Sequence, residues 1–233
     1  MVVVPSLSHI TWKPSWRIVS SLFPPRKLFD RVSSREDLQT IIAIEGLTND
    51  RLREEVGELA LVPEEDRIYG DGTSSIMAAF THLNPTGSRF TDGTYGVYYA
   101  ANSIDTAIAE TQFHKERFLR ATKEAAIQVD MRSYASDIDA KFHDIRAQQA
   151  ERPDIYDSDP ERYGAGQAFA KSLRSDGSNG IVYDSVRDKG GECVSVFRPR
   201  LLSPAVQGEH FCYVWDGSAI SDIYVKSKYK RSH

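Results

Sequence analysis

The chain has 233 residues, 40% of them hydrophobic, and 29 Lys+Arg against 33 Asp+Glu, a formal net charge of −4. So small an imbalance gives no molecule-wide attraction to nucleic acid or an anionic membrane. A mean hydropathy of −0.43 with 10% aromatics argues against a membrane-embedded or disordered chain. The two cysteines, Cys193 and Cys212, cannot build a disulfide scaffold or an all-cysteine zinc site. No apolar run approaches the roughly 20 residues of a bilayer span, and Met1 to Pro5 lacks the basic and apolar regions of a signal peptide. The expectation is a globular, cytoplasmic protein.

In chain order, residues 1–27 carry Pro5, Pro14, Pro24 and Pro25 among Trp12, Trp16 and Phe23, which reads as an extended N-terminal arm. A first helix follows Ser34, with Leu38, Ile41 and Ile42 at helical spacing and Asp37 placed as the acidic member of a capping box; Gly46 ends it. Asn49 caps a second helix through Leu52, Val56 and Leu59. Thr73 to Leu83 reads as a short apolar helix and Asn84 to Gly87 as a turn. Thr94 to Ala101 reads as a buried strand, and Ser103 caps a helix to about Arg120 whose stripe is Ile104, Ala107, Ile108, Thr111 and Phe118. Ile127 to Met131 alternates like a strand, and residues 137–175 read as helical with a polar break at 151–160. From Gly180 the pattern turns to strands, the last two joined by the hairpin signal Asp216-Gly217. The sum is one α+β domain, followed by a basic tail at 226–233.

Several chemistries have no signature. There is no GxxxxGK[ST], HExxH, CxxC or GxSxG. Gly164-Ala-Gly166 opens like a dinucleotide fingerprint, but Phe169 replaces the third glycine and no strand precedes it. None of the six histidines sits beside a second ligand at metal spacing, so no metal is expected.

Three segments stand out together: Leu28-Phe-Asp-Arg31-Val-Ser; Gly87-Ser-Arg89-Phe90 with Gly96-Val-Tyr-Tyr99 running on to Glu110; and Gly180-Ile-Val-Tyr183-Asp-Ser185-Val-Arg187 with Gly190-Gly191. Together they resemble the RES domain, the toxin component of bacterial Xre–RES toxin–antitoxin pairs. The eleven-residue step from Tyr99 to Glu110 and the Ser-x-Arg after a G-I-x-Y strand carry the resemblance. It covers roughly residues 28–225, and the helices at 34–83 look like an insertion between Arg31 and Arg89. Arg35, Arg51 and Arg67 lie in the same stretch as Arg31 and are alternatives for the first arginine.

The resemblance implies a fold similar to that of ADP-ribosyltransferase toxins, a split mixed sheet with surrounding helices. It also implies NAD+ as substrate, cleaved at the nicotinamide–ribose bond with inorganic phosphate or water as acceptor. Nicotinamide leaves without needing a proton, so such a site must hold the pyrophosphate and place a carboxylate near an oxocarbenium-like centre. Arg31 and Arg89 suit the phosphates, because a guanidinium pairs with their oxygens in a bidentate way. Tyr99, on the strand face opposite to Tyr98, offers a ring for nicotinamide with its hydroxyl toward solvent. Glu110 lies about 100° from the centre of its helix's apolar stripe, at the border with solvent and on the side of His114. It is the expected catalytic carboxylate. Ser185 is expected to bond the ribose or a phosphate, and Arg187 to add a phosphate contact.

A toxin that removes NAD+ must be restrained in its own host, so the resemblance implies a cognate Xre-type antitoxin. That antitoxin, rather than this chain, would bind DNA; a homodimer or a hetero-oligomer with the antitoxin is open. Two other readings stand beside NAD+ degradation: a protein ADP-ribosyltransferase, with the 34–83 helices as docking surface, and a catalytically silent binding module.

Overall fold

The structure, a computed structural model, describes residues 4–21, 28–45, 57–227 and 229. Among these, seven strands make one mixed sheet: β1 (Leu7–Ser20), β2 (Tyr98–Ala101), β3 (Ile127–Asp144), β4 (Gly180–Asp184), β5 (Glu192–Val196), β6 (Val206–Trp215) and β7 (Ile220–Lys226). The order is β1-β2-β5-β4-β3-β6-β7, and β3 also pairs with β1. Among the described residues four α-helices accompany it: α1 (Arg35–Glu45), α2 (Ser74–Thr81), α3 (Ile104–Ala121) and α4 (Gly164–Ser175). No helix among the described residues is long and apolar enough to cross a membrane. The fold is α+β.

Strand β3 organises the sheet. Its 18 residues pair antiparallel with β6 from Ile127 to Ala135 and with β1 from Met131 to His143. At His143 and Asp144 it pairs parallel with β4. Successive side chains point to opposite faces, and two cores result. Ala101, Ile181, Tyr183 and Cys193 face α3 and α4, whose Ala107, Leu119, Phe169 and Leu173 complete one core. Tyr98, Ala100, Val182 and Val194 face the other way, onto Leu28, Phe29, Leu38, Ile76, Met77 and Phe80. Fully burying one such large side chain contributes about 1.5–3 kcal/mol.

Local signals explain the ends of several elements. Ser103 has extended backbone, and its Oγ accepts from Thr106 N at 3.1 Å, capping α3; Asp105 in the first turn and Arg120 in the last suit the helix dipole. At α1, Ser34 Oγ accepts from Asp37 N and Asp37 Oδ2 accepts from Ser33 N, each at 3.1 Å, a close variant of the expected capping box. The hairpin at Asp216-Gly217 is present, with Gly217 at φ 105° and Asp216 Oδ1 accepting from Ser218 N and Ala219 N.

Three expectations are corrected. The supposed N-terminal arm is a strand inside the sheet, and Pro14 is tolerated because the β1–β3 register shifts between Trp12 and Ser15. Residues 137–144 are strand rather than helix: Ile138 and Phe142 are fully buried while Asp137, Asp139 and Lys141 are exposed, so the period is two. The strand expected from Thr94 begins only at Tyr98. The helix expected from Asn49 lies mostly outside the described residues; its end, Leu59–Leu61, is a single 3-10 turn.

Candidate active site

A cleft of about 840 Å³ opens on the α3 side of the sheet. Arg17 from β1, Arg89 from the turn before β2, Tyr99 from β2 and Glu110 and His114 from α3 line it, with Tyr183 and Cys193 among its remaining lining residues. Glu110 and His114 share a side because four residues is about one helical turn.

Glu110 is held from behind. Ser185 Oγ donates to Glu110 Oε1 at 2.6 Å and itself accepts from Arg187 N and Asp188 N at 3.0 Å, so the turn after β4 fixes the hydroxyl that fixes the carboxylate. Asp188 Oδ2 accepts from Thr106 Oγ1 at 2.6 Å, tying that same turn to the first turn of α3. Cys193 Sγ lies 3.9 Å from Glu110 Oε1, and burial, reinforced by the Glu110 charge, pushes its thiol pKa well up, so it remains a weak donor.

Tyr99 differs from its expected pose. Its hydroxyl is tied down, bonded to Ser88 Oγ at 2.7 Å and accepting from Phe90 N at 3.0 Å, and burial pushes it up to about 12. The ring rather than the hydroxyl is what Tyr99 offers the cleft. Tyr98 points into the opposite core, 1% exposed, as strand alternation requires.

Arg89 is 7% exposed and serves the architecture. Its Nη1 donates to Ile155 O at 2.8 Å and Asp157 O at 2.9 Å, and its Nη2 to Tyr163 OH at 3.2 Å. These bonds use three of its five N–H donors and strap residues 155–163 across one side of the cleft. Gly166 lets α4 approach this turn, since a Cβ there would stand 2.7 Å from Arg89 O. That close approach, not dinucleotide binding, accounts for the glycine in Gly164-Ala-Gly166.

His114 is exposed in the open cleft, and its pKa is lowered to about 4 by desolvation and by the charges of Arg187, Arg89 and Arg117. The imidazole is therefore neutral at physiological pH and can accept a hydrogen bond.

The structure brings Arg89, Tyr99 and Glu110 together at the cleft, with Ser185 immediately behind them. Arg187 lies outside the cleft lining. Its guanidinium sits 3.3 Å from the centroid of the Phe113 ring, its Nη2 donates to Ser158 O, and only its charge reaches His114. Arg31 is not at the cleft: it ends the Phe29–Arg31 turn, whose neighbours Leu28, Phe29 and Val32 bury in the opposite core, leaving Arg31 exposed on that side. Of its alternatives, Arg35 pairs with Glu64, Arg67 Nε donates to Val62 O at 2.9 Å, and Arg51 lies outside the described residues. Among the described residues, the cation that reaches the cleft from the N-terminal region is Arg17. Its signal was the Trp16-Arg17-Ile18 alternation, an arginine between two core-facing residues.

Residues 64–216 match the RES domain. "Uncharacterized protein y4oC" of Sinorhizobium fredii (strain NBRC 101917 / NGR234) is 30% identical over 212 residues, covering 90% of this chain and 86% of that protein. The crystal structure of the M.tuberculosis MbcT-MbcA toxin-antitoxin complex aligns with a TM-score of 0.45 and 16% identity over 86% of each chain. The matched segment contains Arg89, Tyr99, Glu110, Ser185 and Arg187, while Arg17 and Arg31 precede it.

Proposed function

The chain belongs to the RES domain family, and on that premise we propose that it cleaves the nicotinamide–ribose bond of NAD+ in the cleft around Glu110, as the toxin of a toxin–antitoxin pair. The observation that carries the reading is a carboxylate fixed by Ser185 at the wall of a cleft of about 840 Å³. That volume falls in the range of small-molecule sites.

In this reading the C1″–N bond breaks and its electron pair returns to the nicotinamide nitrogen. Glu110 stands by the positive charge that develops on the ribose, where a preorganised carboxylate acts without reorganising. An oxygen of phosphate or water then bonds to C1″; phosphate attacks through an oxygen already deprotonated, and water passes its proton to the solvent as it bonds. His114, neutral above about pH 4, can accept a hydrogen bond from that water or from a ribose hydroxyl. The Tyr99 ring suits the nicotinamide face, and Arg17, Arg117 and the two remaining donors of Arg89 suit the pyrophosphate. A cognate Xre-type antitoxin that closes the cleft is the matching partner.

The experiment is incubation of purified protein with NAD+, with and without inorganic phosphate, and separation of the products by chromatography. ADP-ribose-1″-phosphate formed only with phosphate identifies a phosphorylase, and free ADP-ribose a glycohydrolase. Intact NAD+ in both overturns the reading in favour of a protein ADP-ribosyltransferase or a silent binding module; transfer of labelled ADP-ribose to lysate proteins separates these.

A further inference from the structure

The sheet closes on one side and stays open on the other. Because β3 also pairs with β1, strands β1-β2-β5-β4-β3 return on themselves, and β6 and β7 project from that ring. Among the described residues β7 pairs with β6 and with no other strand. Helix α3 covers its start, where Ile220 N donates to Glu116 Oε1 at 3.0 Å. The outer edge beyond Ile220 has no strand partner among the described residues.

The two faces of β7 differ. Ile223 and Val225 lie beside Tyr213 and Phe211, on the face that carries the α3 core. Ile223 packs against that core, but Val225 is 56% exposed, so the apolar face runs out to the edge uncovered. Asp222, Tyr224 and Lys226 lie on the reverse face, beside Val214, Cys212 and His210, and all three are exposed. Lys226 pairs with Asp130 at 2.8 Å, whereas Asp222 has no ion pair among the described residues.

An open edge with apolar side chains is a template for another strand, and edge charges ordinarily deter one. Here the charges also select. With a second β7 laid antiparallel and Tyr224 opposite its own copy, Ile223 meets Val225 of the copy on one face and Asp222 meets Lys226 of the copy on the other. The two-fold axis repeats both pairs. A shift of two residues either way loses the Asp222–Lys226 pairs, and a shift of one turns the core face of one copy to the reverse face of the other. One register therefore satisfies both faces at once.

We propose that the chain self-associates through β7, edge to edge, into a two-fold dimer with Tyr224 at the axis. None of the β7 residues lines the cleft around Glu110, so the interface does not rest on the NAD+ reading.

The test is sedimentation equilibrium of the full-length protein over a range of concentrations, which should give a species of twice the 26.2 kDa of one chain. Asp222→Lys sets like charges opposite each other twice and should weaken the dimer about tenfold or more; both positions are exposed, and circular dichroism checks the fold. The register has its own readout. Opposite residues have Cβ atoms about 5 Å apart, so Tyr224→Cys should be joined into a covalent dimer by a short bismaleimide. Asp222→Cys, whose two copies would stand about 13 Å apart, should not be. The native cysteines are buried, and the parent protein is the control. A monomer at every concentration, a dimer indifferent to Asp222→Lys, or cross-linking of Asp222→Cys as complete as that of Tyr224→Cys overturns the proposal.

Discussion

Ser185 and Glu110 are 75 residues apart in the chain, yet the Ser185 hydroxyl donates to Glu110 Oε1 at 2.6 Å. Ser185 Oγ itself accepts from Arg187 N and Asp188 N, so its proton can point only away from its own turn, toward the carboxylate. Ser185 is therefore a positioning residue. Ser185→Ala should lower kcat for NAD+ cleavage about ten- to a hundredfold, the worth of one hydrogen bond to a charged group, with KM little changed. Loss of the turn cap should cost about 1 kcal/mol in chemical denaturation. Equal parent and variant kcat values would contradict the role.

Gly191 lies where the Ser185 turn meets α3. An added Cβ would stand 2.4 Å from Thr106 Oγ1 and 2.6 Å from Asp188 Oδ2, inside the bond that joins the turn to the helix. Gly191→Ala should therefore destabilise the protein by about 1–3 kcal/mol and reduce activity with it. Gly190, at φ 88° with open space where a Cβ would lie, should suffer only backbone strain on substitution. Denaturant unfolding of the two alanine variants makes the comparison.

Arg89 holds Ile155 O, Asp157 O and Tyr163 OH. Arg89→Met strands two backbone carbonyls and should cost about 2–4 kcal/mol. The loss should appear as faster amide hydrogen exchange across 155–163 before the sheet exchanges. Exchange unchanged there would mean that the strap is held by other contacts.

The His114 pKa of about 4 has a signed consequence. Its folded pKa lies below the ordinary 6.5, so between those values the unfolded state binds more protons. The neutral ring's contribution to stability is complete above about pH 6.5 and is lost as pH falls toward 4. In NMR titration the His114 ring should titrate near pH 4, and Arg187→Gln should move the midpoint upward. A midpoint near 6.5 in the parent protein would contradict the charge arrangement.

What the sequence revealed followed from local signals. The Ser103 cap and the spacing of Ile104, Ala107 and Ile108 placed α3, and α3 placed Glu110 beside His114. The Gly-Ile-Val-Tyr run placed β4 and left Ser185 at its end. What stayed hidden depended on pairing at a distance. Strand β1 carries two tryptophans and a proline that mask its alternation, and its partner residues lie some 120 positions later in β3. Residues 137–144 mix alanine and lysine, which suit helices, and aspartate, which strands disfavour, with a period-two burial that only the ladder with β1 enforces. Arg31 sat in a motif-like context, but the hydrophobic Leu28, Phe29 and Val32 around it turn that segment into the opposite core. Arg17 was hidden with its strand.

The most direct test of the central claim is the time course of NAD+ loss with purified parent protein and with Glu110→Gln, each checked for its fold by circular dichroism. Glu110→Gln keeps an oxygen to accept the Ser185 hydrogen bond and removes only the charge. The account predicts many-turnover NAD+ consumption by the parent and a loss of about a hundredfold or more in the variant. Equal rates in the two proteins, or NAD+ left intact by the parent, would contradict it.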